Sequence, residues 1–411
     1  MISRRSFLGF AELAECGTLT GCLSARENVP SVWRRLPVGT LPENVFFCFG
    51  NDDFEGGPET TDKLLDLYAR HGMFNLITLS LRCREDLSDP EVFKRVGDFA
   101  AKAKTLGMQV HMDIDPRIAR AEFLNRWPGD TQREVVVATA KPADGVAEFK
   151  IAADSLSDHM TGGTRGYEAT KGRLAAAYAV KFDAGGAILS SRTVQGAVKG
   201  AGMPLAVTVE GLAADETAVA VAEFELFSCD VFSPHLIPFV RELMERYAKL
   251  PISGAMHDEW GFPPGYGGQM KALRAFWYSP HYAAAYAKAT AGRGLLADYL
   301  LFAFPFKGRE AERSHAVRSF MWLNFQRQKE IEEAFYANDK ALFGKDTYVT
   351  KHSTWWSDLV PMEFSHDGLS WWAAKRDWAQ SDECPPLPAC TGMGKKFGGP
   401  CWLNEWYSVD P

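Results

Sequence analysis

The chain has 411 residues, of which 46% are hydrophobic and 24% are charged, and this composition excludes a disordered, collagen-like or polytopic membrane protein. The formal net charge is -7 and there is no long basic run, so neither nucleic acid nor an anionic membrane surface is expected as a partner. Ten of the twelve tryptophans follow residue 259, which directs the search for a ligand site to the C-terminal part.

Residues 1–30 are interpreted as an export signal and not as part of the fold. Residues 3–8, Ser-Arg-Arg-Ser-Phe-Leu, resemble the twin-arginine motif of bacterial export signals, and residues 19–22, Leu-Thr-Gly-Cys, resemble a lipoprotein cleavage site. Glu12 and Glu15 oppose this interpretation, because carboxylates are unfavourable in an apolar segment. The resemblance implies export across the bacterial inner membrane, either to the periplasm, to a membrane anchor at Cys22, or to the cell exterior.

From residue 44 the chain alternates short apolar runs with amphipathic segments. The pattern predicts strands at 45–49, 74–81 and 108–114, with helices at 61–71 and 90–106 between them. Near-continuous apolar strands in repeated β/α units favour a parallel sheet that is covered on both faces.

The alternation changes between residues 131 and 228, where glycines separate short β-branched runs. Strands are predicted at 134–138, 147–152, 176–182, 205–209 and 218–227. We interpret residues 131–228 as a small all-β domain inserted after the third parallel strand.

Helical alternation resumes after the predicted insertion. The remaining elements are a helix at 236–250, a helical region at 280–343, and strands at 252–257, 347–352, 377–381 and 400–404. Seven parallel strands predict a (β/α)8 TIM barrel that lacks its last strand, built from residues 40–130 and 229–411. The edge left by the missing strand would be covered by another segment or by a second copy, which makes a homo-oligomer an expected partner.

Two predicted strands end in a glutamate beside an aromatic residue. The strand at 252–257 leads into Asp258-Glu259-Trp260, and the strand at 400–404 ends at Asn404-Glu405-Trp406. Carboxylates at the carboxyl ends of barrel strands face substrate. Retaining glycoside hydrolysis needs a carboxylic acid and a second carboxylate about 5 Å apart. These two glutamates therefore predict a glycosidase site.

These two strand ends resemble the clan of retaining TIM-barrel glycoside hydrolases, most nearly its β-galactosidase and β-mannosidase branches. The resemblance implies that Glu259 is the acid/base, Glu405 the nucleophile, and Arg82 the arginine that keeps the nucleophile ionised. Asp258 departs from the pattern, since the clan has asparagine before the acid/base. Glu383 is a competing candidate for the nucleophile, since Asp382-Glu383 directly follows the predicted strand 377–381.

Further polar and aromatic residues follow other predicted strands. Their hydrogen-bonding groups and flat ring faces suit sugar hydroxyls and pyranose rings. The expected substrate-binding residues are Asp52, Asp53, His257, Asp258, Trp260, His352, Trp355, Trp356, Asp382, Glu383, Asn404 and Trp406.

A metal centre is the rival interpretation of the same strand ends. Strand alternation places His111, Asp113 and Asp115 on one face, to which His257, Glu259 and His352 add further ligand types. The first strand has no histidine pair of the kind found in metal-dependent barrel hydrolases, so we expect neither a catalytic metal nor another cofactor.

The sequence thus predicts an exported glycosidase acting on a β-linked oligosaccharide or polysaccharide. A non-catalytic carbohydrate-binding or degenerate barrel is the alternative, favoured by Asp258.

Overall fold

The computed structural model describes residues 45–49, 58–71, 76–81, 86–115, 119–153, 169–200, 202–257, 275–345, 347 and 350–351. All of them lie within one compact unit, 45–371.

The described residues form thirteen strands and seven helices. The strands are β1 (Val45–Phe49), β2 (Leu76–Ser80), β3 (Gln109–Asp113), β4 (Thr131–Ala140), β5 (Ala147–Ile151), β6 (Ala169–Phe182), β7 (Ile188–Thr193), β8 (Gly196–Val198), β9 (Leu205–Val209), β10 (Thr217–Cys229), β11 (Gly254–His257), β12 (Ala275–Tyr278) and β13 (Thr350–Lys351). The helices are α1 (Pro58–His71), α2 (Pro90–Thr105), α3 (Arg120–Arg126), α4 (Leu236–Tyr247), α5 (Pro280–Ala289), α6 (Leu295–Ala303) and α7 (Glu310–Phe343).

The first sheet is parallel and has five strands in the order β1-β2-β3-β11-β13. Helix α2, which connects β2 to β3, has a well-formed N-terminus. The Asp89 side chain accepts a hydrogen bond from the Glu91 amide at 2.8 Å, and Pro90 occupies the first helical position. One face of α2 is buried, and Val96 and Phe99 from it join the apolar core together with Leu79 of the sheet.

The other two sheets are antiparallel, one with the strand order β12-β4-β10-β6-β7 and one with the order β5-β9-β8. β-branched residues of β4 and β10, among them Val135 and Val221, belong to the same apolar core as Phe276 and Tyr299. One apolar core that includes residues of both strands and helices is expected when side chains alternate along each strand and one face of the sheet packs against helices.

The prediction of a (β/α)8 TIM barrel is wrong. Within the described residues only five strands are parallel, forming a half-barrel, and the other strands are antiparallel. The antiparallel sheet also extends beyond the predicted insertion, because β12 pairs with β4. The predicted strands at 377–381 and 400–404 lie outside the described residues. A β/α repeat buries its strand on both faces whether or not the sheet closes, so the local pattern could not establish closure.

Candidate functional site

The carboxyl ends of the parallel strands meet at one edge of their sheet. The register pairs Phe49 with Ser80, Asp113 with Met256, and His257 with Lys351. Ligands of open α/β sheets bind beyond the carboxyl ends of the strands, where loops supply side chains that the rigid sheet positions. This edge is therefore the candidate functional site.

Polar side chains occupy one face of β2 and β3 near that edge. Ile77, Leu79, Val110 and Met112 belong to the apolar core, so the alternating residues point to the opposite face. These alternating residues are Thr78, Ser80, His111 and Asp113, followed along the chain by Asp115, and each is at most 2% exposed. A buried polar face is costly unless its groups are hydrogen-bonded, which makes this face a candidate for function.

Ser80 and Asp113 form a hydrogen-bonded pair at the ends of adjacent strands. The Ser80 hydroxyl donates to Asp113 Oδ2 at 2.5 Å, and both side chains are buried. The hydroxyl fixes the orientation of the carboxylate at the end of β3. A carboxylate held in this way is a rigid hydrogen-bond acceptor at the candidate site.

His111 lies deeper on the same face. Burial lowers the pKa of its imidazole to about 4, so the ring is neutral near pH 7. Its Nδ1 has no hydrogen-bond partner among the described residues. The ring lies against Gly254 of β11, where a Cβ would come within 2.7 Å of His111 Nε2 and 2.9 Å of Thr347 Oγ1.

Replacing Gly254 by alanine should destabilise the parallel sheet. The added methyl group must displace a buried ring and a hydroxyl that already donates to Ser253 O at 2.7 Å, so we expect a loss of about 1–3 kcal/mol in the free energy of unfolding. Urea denaturation measures this loss. Gly129→Ala is the control, since a Cβ there would meet nothing within 4 Å; equal stabilities of the two variants would contradict the prediction.

A carboxyl group from α7 fixes the backbone of β11. Asp339 Oδ1 accepts a hydrogen bond from the Ala255 amide at 2.7 Å, whereas Asp339 Oδ2 has no partner in the described part of the chain. Burial raises the pKa of the Asp339 carboxyl to about 7. The protonated acid is therefore the favoured form in the folded protein below neutral pH.

Asp339 should make the protein less stable as the pH rises. Its folded pKa lies above the value of an exposed carboxyl, so its contribution is fully present in acid and is lost as the pH rises through about 7. Between about pH 5 and pH 9 we expect the wild type to lose about 2 kcal/mol more than Asp339→Asn, which keeps the bond to Ala255. Urea denaturation at both values tests this, with the exposed Asp98→Asn as control; parallel pH profiles for all three proteins would refute it.

The structure describes few of the residues predicted to form the site. His257 is the last residue of β11, and its backbone pairs with Lys351. The other predicted site residues lie outside the described residues: Asp52, Asp53, Arg82, Asp258, Glu259, Trp260, His352, Trp355, Trp356, Asp382, Glu383, Asn404, Glu405 and Trp406. Sequence reasoning missed Ser80: alternation along β2 places it on the same face as Thr78, but its contact with Asp113 depends on the register of β2 against β3.

Three of the residues in the metal interpretation, His111, Asp113 and Asp115, lie within the described residues. Within the ranges that the structure covers, no group of three histidine, cysteine, aspartate or glutamate side chains could hold a metal ion. In the same ranges, none of the helices combines the length and the apolar character needed to cross a lipid bilayer.

No protein-family model matches the chain, and no curated protein matches it either.

Proposed function

We propose that the protein is a glycoside hydrolase that cleaves β-linked sugars with retention of configuration. The observation that carries the proposal is the carboxyl edge of the parallel sheet. β11 ends there at His257, and the chain continues into Asp258-Glu259-Trp260. Glu259 therefore follows the strand that pairs directly with β3 and its buried Asp113.

Each of the two glutamates has a role in the proposed reaction. Glu259 donates a proton to the leaving glycosidic oxygen while the carboxylate of Glu405, or of Glu383, attacks the anomeric carbon. Water then attacks the glycosyl-enzyme ester and loses its proton to Glu259, which releases the sugar and restores both carboxyl groups. Arg82 follows β2 in the chain and is proposed to keep the nucleophile ionised.

The described residues support the recognition of a hydroxylated substrate. Asp113, oriented by Ser80, is a fully buried carboxyl group on the strand next to β11, and sugar hydroxyls are donors of the kind that a fixed carboxylate selects. The sequence adds the tryptophans after residue 259, of which only Trp277 and Trp322 lie within the described residues. Tryptophan has a flat apolar face of the kind on which pyranose rings stack.

A panel of aryl β-glycosides tests the proposed function. We expect release of the aryl group from at least one member, and we expect NMR of the first-formed sugar to show the β-anomer, as retention requires. A first-formed α-anomer would contradict the retaining mechanism. Calorimetric binding of an oligosaccharide without hydrolysis would instead favour a carbohydrate-binding protein, for which Asp258 in place of asparagine is the motivating observation. Neither binding nor hydrolysis would overturn both proposals.

A further inference from the structure

The solvent face of α7 carries two exposed aromatic residues. Trp322 is 58% exposed and Tyr336 is 55% exposed, whereas Trp277 is buried in the core. The two exposed residues are fourteen positions apart in one helix, which places them about 21 Å apart along the helix axis and about 40° apart around it. α7 therefore presents two aromatic rings to solvent from one side.

The exposed residues on this side of α7 recur at seven-residue intervals. His315, Trp322, Lys329 and Tyr336 follow one another at this spacing, and all four are exposed. We call these four residues the α7 stripe. Lys329 pairs with Glu333 at 3.3 Å, so the positive charge between the two rings is balanced. The stripe thus combines two flat apolar surfaces with a donor and an acceptor that neutralise each other.

The opposite side of α7 holds the stripe in place. Its apolar residues Phe320, Ile331 and Phe335 belong to the buried core, and Asp339 accepts a hydrogen bond from the Ala255 amide of β11 at 2.7 Å. A surface carried by a helix that is packed in this way is more precise than a surface carried by a loop. The positions of the two rings are therefore set by the fold.

The Tyr336 ring is also restrained by a neighbouring side chain. Lys340 Nζ lies 5.3 Å from the ring centroid, and the same nitrogen donates a hydrogen bond to the Thr347 carbonyl oxygen. A cation beside the face of an aromatic ring is attracted by the π electrons of that ring. Restraint of this kind before binding reduces the conformational entropy that the side chain loses when a ligand binds.

We propose that the α7 stripe binds an uncharged oligosaccharide chain, with one pyranose ring stacked on Trp322 and another on Tyr336. This inference rests on the proposed function and deepens it, because it names a polysaccharide rather than a small glycoside as the substrate. An aromatic ring packs its flat apolar face against the C–H groups of a sugar. The hydroxyl groups of the sugar both donate and accept hydrogen bonds, which matches Lys329 and Glu333 between the rings.

A second copy of the chain fits the same surface less well. Helices that associate through a seven-residue repeat place apolar residues at the repeating contact positions. In the α7 stripe the aromatic residues alternate with His315 and Lys329, whose polar groups would lose their water in such a contact. The order of the residues therefore favours a hydroxylated ligand.

Affinity electrophoresis of the full chain tests the proposal. The gels contain a soluble β-glucan, β-mannan or β-galactan, all uncharged, and the retardation measures the dissociation constant. We expect at least one of these polysaccharides to retard the wild type, and we expect Trp322→Ala combined with Tyr336→Ala to raise the dissociation constant about tenfold. Trp322→Phe combined with Tyr336→Phe keeps both flat faces and should retain most of the affinity.

Leu189→Ala is the matched control, because Leu189 of β7 is another large exposed apolar residue and lies outside the stripe; we expect it to be retarded like the wild type. The proposal is overturned if no polysaccharide retards the wild type, or if the double alanine variant is retarded equally. A wild-type dimer in sedimentation that the alanine substitutions convert to monomers would assign the surface to a second copy and overturn it as well.

The panel of aryl β-glycosides separates a failure of this inference from a failure of the proposed function. Hydrolysis of an aryl β-glycoside by the wild type, together with equal retardation of the double alanine variant, would leave the glycosidase without a binding role for the α7 stripe. Retardation that depends on both rings, without hydrolysis of any β-glycoside, would leave the binding role of the stripe without the glycosidase.

Discussion

Replacement of Glu259 by glutamine is expected to reduce kcat/KM on an alkyl or sugar leaving group by about a thousandfold or more. The amide keeps the shape of the side chain but cannot give up a proton, so the leaving oxygen departs as an unprotonated alkoxide. Steady-state kinetics on a β-linked disaccharide, and on an aryl β-glycoside with a strongly acidic phenol, measure the effect. The loss in kcat/KM, which reports the formation of the glycosyl-enzyme ester, should be much smaller on the acidic phenol, because that leaving group needs no proton from Glu259.

The matched control for this substitution is Glu245→Gln on the exposed face of α4, where Glu245 accepts a hydrogen bond from Arg241 at 2.8 Å. It makes the same chemical change on an exposed side chain of the helix that precedes β11, and its kcat/KM should equal that of the wild type. Equal activity of Glu259→Gln and the wild type would remove Glu259 from the mechanism. An equal loss of kcat/KM on both leaving groups would show that Glu259 does not act as the proton donor of the first step.

The parallel strands were predictable because burial on both faces gives each one a continuous apolar run. The runs predicted at 45–49, 74–81 and 108–114 coincide with β1, β2 and β3, and the structure confirms these three strands. Helix α2 was equally visible, since Asp89-Pro90 and Gly107 mark its ends. These signals come from residues that are neighbours in the sequence.

Pairing across the chain was not predictable from the same signals. β12 is a four-residue apolar run, and nothing within it indicates that it pairs antiparallel with β4, which lies far away in the sequence. The number of parallel strands depends on such distant pairings as well. The prediction of a TIM barrel from seven strands therefore failed, although five of those strands are found in the parallel sheet.

The candidate site shows the same division. Alternation along β3 correctly placed His111 and Asp113 on one buried face, because side-chain direction in a strand follows from position alone. The pairing of Ser80 with Asp113 depends on the register of β2 against β3. The contacts of Asp130 with His235 and His281 likewise form only where three separate segments of the chain meet. Such contacts carry no spacing signal, so the sequence could not reveal them.

Asp298→Ala is expected to cost about 3–5 kcal/mol in the free energy of unfolding. Asp298 is a buried carboxylate of α6 that accepts two hydrogen bonds from Arg293, at 2.6 and 2.7 Å, and one from the Tyr286 hydroxyl at 2.7 Å. Arg293 also pairs with Glu312 of α7 at 2.8 Å. Removing the carboxylate leaves the buried Tyr286 hydroxyl without this acceptor, and it leaves the largely enclosed Arg293 guanidinium with Glu312 as its remaining ion-pair partner among the described residues. It therefore loosens the junction of α5, α6 and α7.

Urea denaturation measures this loss, and Asp98→Ala is its control. Asp98 pairs with Lys94 at 2.6 Å, but both side chains are more than 60% exposed, so the control should lose at most about 1 kcal/mol. A similar loss in the two variants would contradict the prediction. The combination Asp298→Leu with Arg293→Met tests its cause: if the cost arises from an unpaired buried charge, replacing both partners by apolar side chains should recover most of the stability that Asp298→Ala loses.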